Sequence, residues 1–151
     1  MRELDVLDDL VGTEVAVTSW MTIGQPRIDT FAEATSDHQW IHTDPARCAL
    51  ESPFGATVAH GFLTLALLPA MFEDAIKLVG VTMVLNYGLN KVRFPAPVPV
   101  DSRVRGRLTL LKVEPVEGAG TCDQLTWAVV VECEGQPRPV CVAEMLMRRY
   151  R

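Results

Sequence analysis

A chain of 151 residues with 48% hydrophobic side chains suits one domain, residues 1–151, built round one apolar core. Its formal net charge of −5 and the lack of any dense Lys/Arg run argue against nucleic acid as the partner. The four cysteines, Cys48, Cys122, Cys133 and Cys141, form no C-x-x-C pair and read as buried small hydrophobes rather than zinc ligands.

The start, Met1-Arg2-Glu3-Leu4-Asp5, shows no apolar stretch behind a basic flank. With no export signal and reduced thiols, the cytoplasm is the expected compartment. Residues 14–20 alternate and are β-branched, which predicts a strand. Thr22, with Gln25 three residues on, offers a capping box. The helix behind it would carry Ile28, Phe31, Ala32 and Thr35 on one face and end near Ser36-Asp37. Asp44-Pro45 caps a second, short helix, which Ser52-Pro53-Phe54-Gly55 breaks.

Residues 60–76 predict a helix that is apolar nearly all round and therefore wrapped by protein on every side. Pro69 should kink or break it. The apolar run over 56–72 is shorter than the ~20 residues a bilayer needs, and it contains His60 and Pro69. A buried helix is expected, not a membrane span. Four strands follow, over 81–94, 103–114, 124–134 and 140–150, with turns at Glu117-Gly118-Ala119-Gly120 and Glu134-Gly135-Gln136-Pro137. Pro95, Pro97 and Pro99 confine their stretch to a loop or an edge. One buried helix in a curled antiparallel sheet is the hotdog arrangement, an α+β architecture.

All three histidines, His38, His42 and His60, fall between Asp37 and Gly61, in segments joining helices, where function tends to sit. Asp37 and His42 are five positions apart. One straight helix would not align them, but a turn after Asp37 can bring carboxylate and imidazole onto one water. Such a pair can take a proton from water and return one to carbon near neutral pH. A capping aspartate beside a surface histidine fits the same spacing. Ala59-His60-Gly61 opens the apolar helix, whose first amides lack intrahelical partners and suit a developing oxyanion. Glycine there is equally explained by close packing alone.

The stretch Phe31-Ala32-Glu33-Ala34-Thr35-Ser36-Asp37-His38-Gln39-Trp40-Ile41-His42-Thr43-Asp44-Pro45 resembles the hydratase motif of the MaoC-like (R)-specific enoyl-CoA hydratases. So does Ser52-Pro53-Phe54-Gly55 followed by Ala59-His60-Gly61-Phe62-Leu63, and Asn86-Tyr87-Gly88-Leu89-Asn90-Lys91-Val92-Arg93-Phe94-Pro95 resembles the NodN-like branch. The resemblance implies a hotdog homodimer that hydrates trans-2-enoyl thioesters to (R)-3-hydroxyacyl thioesters. The substrate would be an acyl-CoA or an acyl carrier protein thioester, and no cofactor is needed beyond the coenzyme A that substrate carries. It implies Asp37 and His42 as the pair holding the catalytic water and Gly61 as the backbone N–H donor to the thioester carbonyl. Ser36 and Asp101 stand where many members have glycine, Gln39-Trp40 replaces a common Asn-Pro, and Pro69 stands where some carry a serine.

His60, Phe62, Trp40, Asn90 and Arg93 are further candidates for substrate contact, with Phe62 and Leu63 beside the acyl chain. Arg103, Arg105 and Arg107 share a strand face, read as a solvated outer surface rather than a strip for coenzyme A phosphates. Asp37, His42, Asp44 and His60 match no H-E-x-x-H spacing, so no metal is expected. Two rival activities stand beside hydration. A thioesterase would want a carboxylate on the apolar helix, and residues 56–72 hold none; Glu73 and Asp74 lie at its far end. A non-catalytic acyl-thioester-binding subunit would not need the Asp37/His42 pair.

Overall fold

The computed structural model describes residues 1–118 and 120–151; in the expected turn at 117–120, Ala119 lies outside them. In chain order the elements are β1 (Arg2–Leu4), β2 (Glu14–Val17), β3 (Met21–Ile23), α1 (Gln25–Thr35), α2 (Trp40–Thr43), α3 (Pro45–Glu51), α4 (Gly61–Ala66), α5 (Leu68–Ala75), β4 (Ile76–Leu78), β5 (Met83–Arg93), β6 (Ser102–Pro115), β7 (Cys122–Cys133) and β8 (Cys141–Tyr150). The main sheet runs β2-β6-β7-β8-β5, with β3 also on β6, and every pairing in it is antiparallel. A small parallel pair, β1 with β4, lies apart. The α+β hotdog arrangement expected from the sequence is the one observed.

Period-2 patterning makes the sheet one-sided. Leu125, Trp127, Val129 and Val131 of β7 and Cys141, Ala143, Met145 and Met147 of β8 all turn inward and are buried. Against them lie Leu63, Leu68, Met71 and Phe72 of α4 and α5, with the Phe72 ring edge-on to Trp127 at 5.1 Å. At Gly106 of β6 an added Cβ would come 3.2 Å from Met71 Sδ, so the missing side chain lets the helix approach. All four cysteines are buried and free, and burial alone pushes the Cys141 thiol up to about 11. They act as core hydrophobes.

Several expectations shift. The strand over 14–20 stops at Val17, and Thr22 lies inside β3, paired with Arg103. It therefore caps nothing: the N-cap of α1 is Gly24, with no side-chain hydrogen bond. On α1, Ile28 and Ala32 are buried and Thr35 is exposed. Asp44 does cap α3, accepting from the Arg47 N–H at 2.9 Å, with Pro45 in the first turn. The apolar helix breaks at Leu67 into α4 and α5, because Pro69 in the first turn of α5 has no N–H to continue the ladder; Ile76 belongs to β4. Nor is it wrapped on every side, since Phe62, Ala66 and Ala70 are exposed in the single chain. The proline-rich stretch is a loop that meets the segment before α4: Ala59 N–H donates to Val98 C=O (2.8 Å) and Val100 N–H to Thr57 C=O (2.9 Å). No helix among the described residues is long and apolar enough to cross a membrane.

Candidate active site

Helix α1 ends on Ser36, which takes the left-handed conformation (φ 60°, ψ 24°). That residue throws the chain off the helix axis, and the Asp37 N–H reaches back to Ala32 C=O at 3.2 Å. Asp37 thus sits just past the helix, its side chain 53% exposed.

His42 lies on the four-residue α2 and is buried, with 8% exposure. Gln25, the first residue of α1, holds this turn from below. Its amide donates to His42 C=O and to Asp29 Oδ1, both at 2.7 Å, and accepts from the Thr57 hydroxyl. The imidazole Nδ1 is 2.6 Å from Val58 C=O. A carbonyl can only accept, so Nδ1 carries the hydrogen and Nε2 keeps its lone pair for chemistry. Burial lowers the His42 pKa below the ordinary histidine value; the Val58 hydrogen bond opposes this, His60 adds to it, and Asp37 opposes it. The balance leaves a neutral imidazole suited to accept a proton.

His60 completes the cluster from the start of α4, with 2% side-chain exposure. Its Nε2 lies 2.9 Å from the main-chain oxygen of Asp37 and 3.9 Å from Asp37 Oδ2. Its ring stacks on His42, with centroids 3.8 Å apart and planes 26° apart, and Phe31 closes the other flank at 5.1 Å. A ring so enclosed offers substrate little surface. The substrate contact expected of it has no geometric support in this chain.

Gly61 opens α4, so its N–H has no acceptor within the helix. An added Cβ would lie 2.8 Å from Phe94 Cδ2 and 2.9 Å from Cγ. Packing against Phe94 thus requires glycine whatever the amide does. Phe62, 69% exposed, meets Phe94 edge to face at 5.9 Å. It also lines a groove of about 380 Å³ with Phe31, Thr35, Asp37, Leu65 and Ala66. Leu63 faces the other way, into the core, so of the two residues expected beside an acyl chain only Phe62 lies on this groove.

The remaining candidates have other partners. Trp40 lies under the Arg47 guanidinium, 4.3 Å from the ring centroid. Asn90 donates to Glu144 Oε1 at 2.6 Å across the sheet, and Arg93 folds onto Val92 C=O at 2.7 Å. Arg103 pairs with Glu134, Arg105 with Glu132, and Arg107 with Glu14 and Glu132. That face is an ion-paired outer surface, as read from the strand period.

Asp37, His42 and His60 each bring one ligand atom within 4.8 Å of the other two. A first-row metal holds N and O ligands at about 2.0–2.2 Å and usually takes four of them, whereas this cluster offers three. His42 Nδ1 and His60 Nε2 also already face carbonyls. The arrangement suits a hydrogen-bonded water better than an ion.

The parts that Gln25, Thr57, the Val58 carbonyl and Phe94 play at this site escaped the sequence reading, which took Gln25 for a capping residue. An uncharged amide opening an amphipathic helix is a faint signal for Gln25; the others depend on contacts across more than fifteen residues and leave none.

A family model described as "MaoC like domain" matches residues 7–128. The chain is 51% identical over 151 residues to 3-hydroxyacyl-thioester dehydratase Z of Mycobacterium tuberculosis, covering 98% of both chains. It is 48% identical over 149 residues to Nodulation protein N of Rhizobium leguminosarum bv. viciae, covering 97% of this chain and 91% of that protein. Among solved structures, R-Hydratase PhaJ1 from Pseudomonas aeruginosa superposes with a TM-score of 0.71 at 22% identity, over 91% of this chain and 79% of that one. A family model over most of the chain, and a dehydratase 51% identical over nearly its full length, place the chain in the MaoC-like dehydratase family as a hydro-lyase.

Proposed function

We propose that the protein is an (R)-specific enoyl-CoA hydratase, adding water reversibly to trans-2-enoyl thioesters. One observation carries this reading: the Asp37 carboxylate and the ligand nitrogens of His42 and His60 lie within 4.8 Å of one another, where Asp37 enters an apolar groove. A water held between Asp37 and His42 Nε2 would lose a proton to the pair as its oxygen bonds to the β-carbon. The π electrons of the double bond move toward the α-carbon and the thioester oxygen, where the Gly61 N–H meets the developing charge. The α-carbon then takes a proton back from the pair. The reverse course removes water from a 3-hydroxyacyl thioester. Asp37 and His42 act as one coupled unit.

The (R) outcome, and coenzyme A as the thiol, follow from the family resemblance; the relatives' names speak of thioester dehydration and R-hydration. Thioester hydrolysis is disfavoured because the apolar run over 56–72 carries no carboxylate; Glu73 and Asp74 lie at its far end, in the last turn of α5, where Asp74 accepts the Ser19 N–H at 2.7 Å. The working form we propose is a homodimer. β5 is a sheet edge, paired only with β8 among the described residues, and Met83, Val84, Leu85, Tyr87 and Leu89 on it are exposed. Two copies joining these edges would cover them. The proposed compartment is the cytoplasm.

Crotonyl-CoA tests the reading. Hydration bleaches the enoyl absorbance without releasing thiol, and chiral analysis of the product gives the (R) alcohol. Free thiol would indicate a thioesterase instead, and binding without either change a non-catalytic subunit.

A further inference from the structure

We propose that His60 is a positioning residue. Its Nε2–H fixes the main chain at Asp37 and its ring face fixes the imidazole of His42, while it meets no substrate itself. The proposal rests on the hydratase reading for its kinetic consequences, though not for its geometry.

The two groups of the acid–base pair come from separate pieces of chain. Asp37 follows α1 on a half-exposed turn, and His42 sits on the single turn of α2. Within their own segments, Gln25 ties α1 to His42 C=O at 2.7 Å and the Thr43 hydroxyl meets His38 C=O at 3.3 Å, but these contacts hold backbone and not the His42 imidazole. The segment over 58–60 reaches both: Val58 C=O accepts the His42 Nδ1 hydrogen at 2.6 Å, and His60 Nε2 lies 2.9 Å from Asp37 C=O. The 3.8 Å ring stack joins the two contacts.

Because Asp37 C=O can only accept, the hydrogen of His60 belongs on Nε2. The two stacked rings therefore hold opposite tautomers, Nδ1–H in His42 and Nε2–H in His60. His60 Nδ1 is buried with no hydrogen-bond partner, so one nitrogen of this ring is engaged and the other idle. An arrangement that spends its one donor on the backbone of the adjacent carboxylate residue suits placement rather than proton transfer. The groups facing the two rings are the Asp37 carboxylate from the turn after α1, the uncharged Phe31 ring from α1, the Val58 carbonyl, and each other. Glu33 and His38 pair farther out, at 3.6 Å and exposed.

Two variants separate the contacts. His60→Phe keeps an aromatic face and loses the donor; His60→Gln keeps an N–H near the Nε2 position and loses the ring. With crotonyl-CoA we expect kcat to fall ~10- to 100-fold in His60→Phe with KM within about twofold, since misplacing one partner by an ångström costs on this scale. His60→Gln should recover most of that loss, to within ~5-fold of wild type. Its acid limb in kcat/KM should move to higher pH, because the ring that shields His42 from water is gone; in His60→Phe the limb should stay. ¹⁵N NMR of the unliganded wild-type protein should find His60 as the Nε2–H tautomer and His42 as Nδ1–H. Wild-type turnover in His60→Phe, equal losses in both variants with unmoved pH limbs, or an Nδ1–H His60 would each overturn the proposal. A wild-type protein inert toward crotonyl-CoA would instead sink the hydratase reading, while the tautomer measurement would still decide the geometry.

Discussion

Two regions of this molecule reverse the usual sorting of side chains. At the His42/His60 corner, polar rings are buried; along β5, Met83, Val84, Leu85, Tyr87 and Leu89 are exposed. The first reversal is offset within the chain at one nitrogen of each ring, because Val58 and Asp37 supply carbonyls, and Phe31 supplies a wall. The second is offset only in part: the Arg148 guanidinium lies 3.5 Å from the Tyr87 ring centroid, while Met83, Val84, Leu85 and Leu89 stay exposed. Burial that breaks the rule and is answered locally marks chemistry. Exposure that breaks it unanswered marks a missing partner.

The largest effects should come from the answered corner. Asp37→Asn and His42→Gln should each lower kcat on crotonyl-CoA by ~10²-fold or more, with unchanged circular dichroism; near-wild-type rates in both would remove the acid–base assignment. The unanswered strand should respond in mass before it responds in rate. Leu85→Lys combined with Leu89→Lys places charges on the edge and should convert a two-chain particle to a one-chain particle by light scattering. Activity should fall ~10-fold if the second copy helps shape the groove. An unchanged mass would make β5 an ordinary edge and dissolve the contrast.

Between these lies Gly61→Ala. The methyl would meet Phe94 at 2.8 Å, and overpacking of this kind costs about 1–3 kcal/mol. Adding Phe94→Ala should restore much of the lost stability in a denaturant titration. If activity returns as well, the glycine serves packing; if stability returns and activity does not, the open space beside the amide has a separate duty. A pH series sharpens the same corner. His42 has its folded pKa lowered, chiefly by burial. The unfolded chain therefore binds the extra proton first as pH falls below about 6.5. The stabilisation from a neutral, buried His42 is complete above that value and is lost as pH falls toward and through the folded pKa. Denaturation midpoints in wild type and His42→Gln, taken from pH 8 to pH 5, should diverge in that sense.

How much of this could be read beforehand follows the range of the contacts. Elements set by near neighbours were legible: the Asp44 cap, the break that Pro69 forces, and the period-2 strands β6, β7 and β8. Thr22 was misread because its three-residue strand forms against β6, where Thr22 meets Arg103, about 80 positions away, and that pairing outweighs a local cap. Asp37 and His42 were visible as residue types at a suggestive spacing. The tautomers of His42 and His60, and the grip of Gln25 and His60 on the pair, depend on carbonyls 16 to 23 positions distant. The strand-like stretch over 81–94 was legible as a strand but its exposure was not, since exposure depends on what lies beyond the chain.

The smallest predicted effect concerns backbone strain. Two non-glycine residues among those described have positive φ, Ser36 at 60° and Asp101 at 63°, and both stand where many members of the family carry glycine. Both also border α1: Ser36 ends it beside Asp37, and the Asp101 N–H holds Ile23 C=O at 2.8 Å just before it begins. A left-handed conformation costs an ordinary side chain roughly 1–2 kcal/mol, with aspartate among the more tolerant. Ser36→Gly should therefore raise stability by about 1 kcal/mol, and Asp101→Gly by less, because its side chain suits that region better. The kinetics of Ser36→Gly carry the sharper information. Glycine can leave the left-handed well as easily as occupy it, so a more stable protein with lower kcat would mean that serine, by restricting this joint, helps hold Asp37 against His42. A gain in stability with kcat unchanged would leave that task to the hydrogen bond from His60.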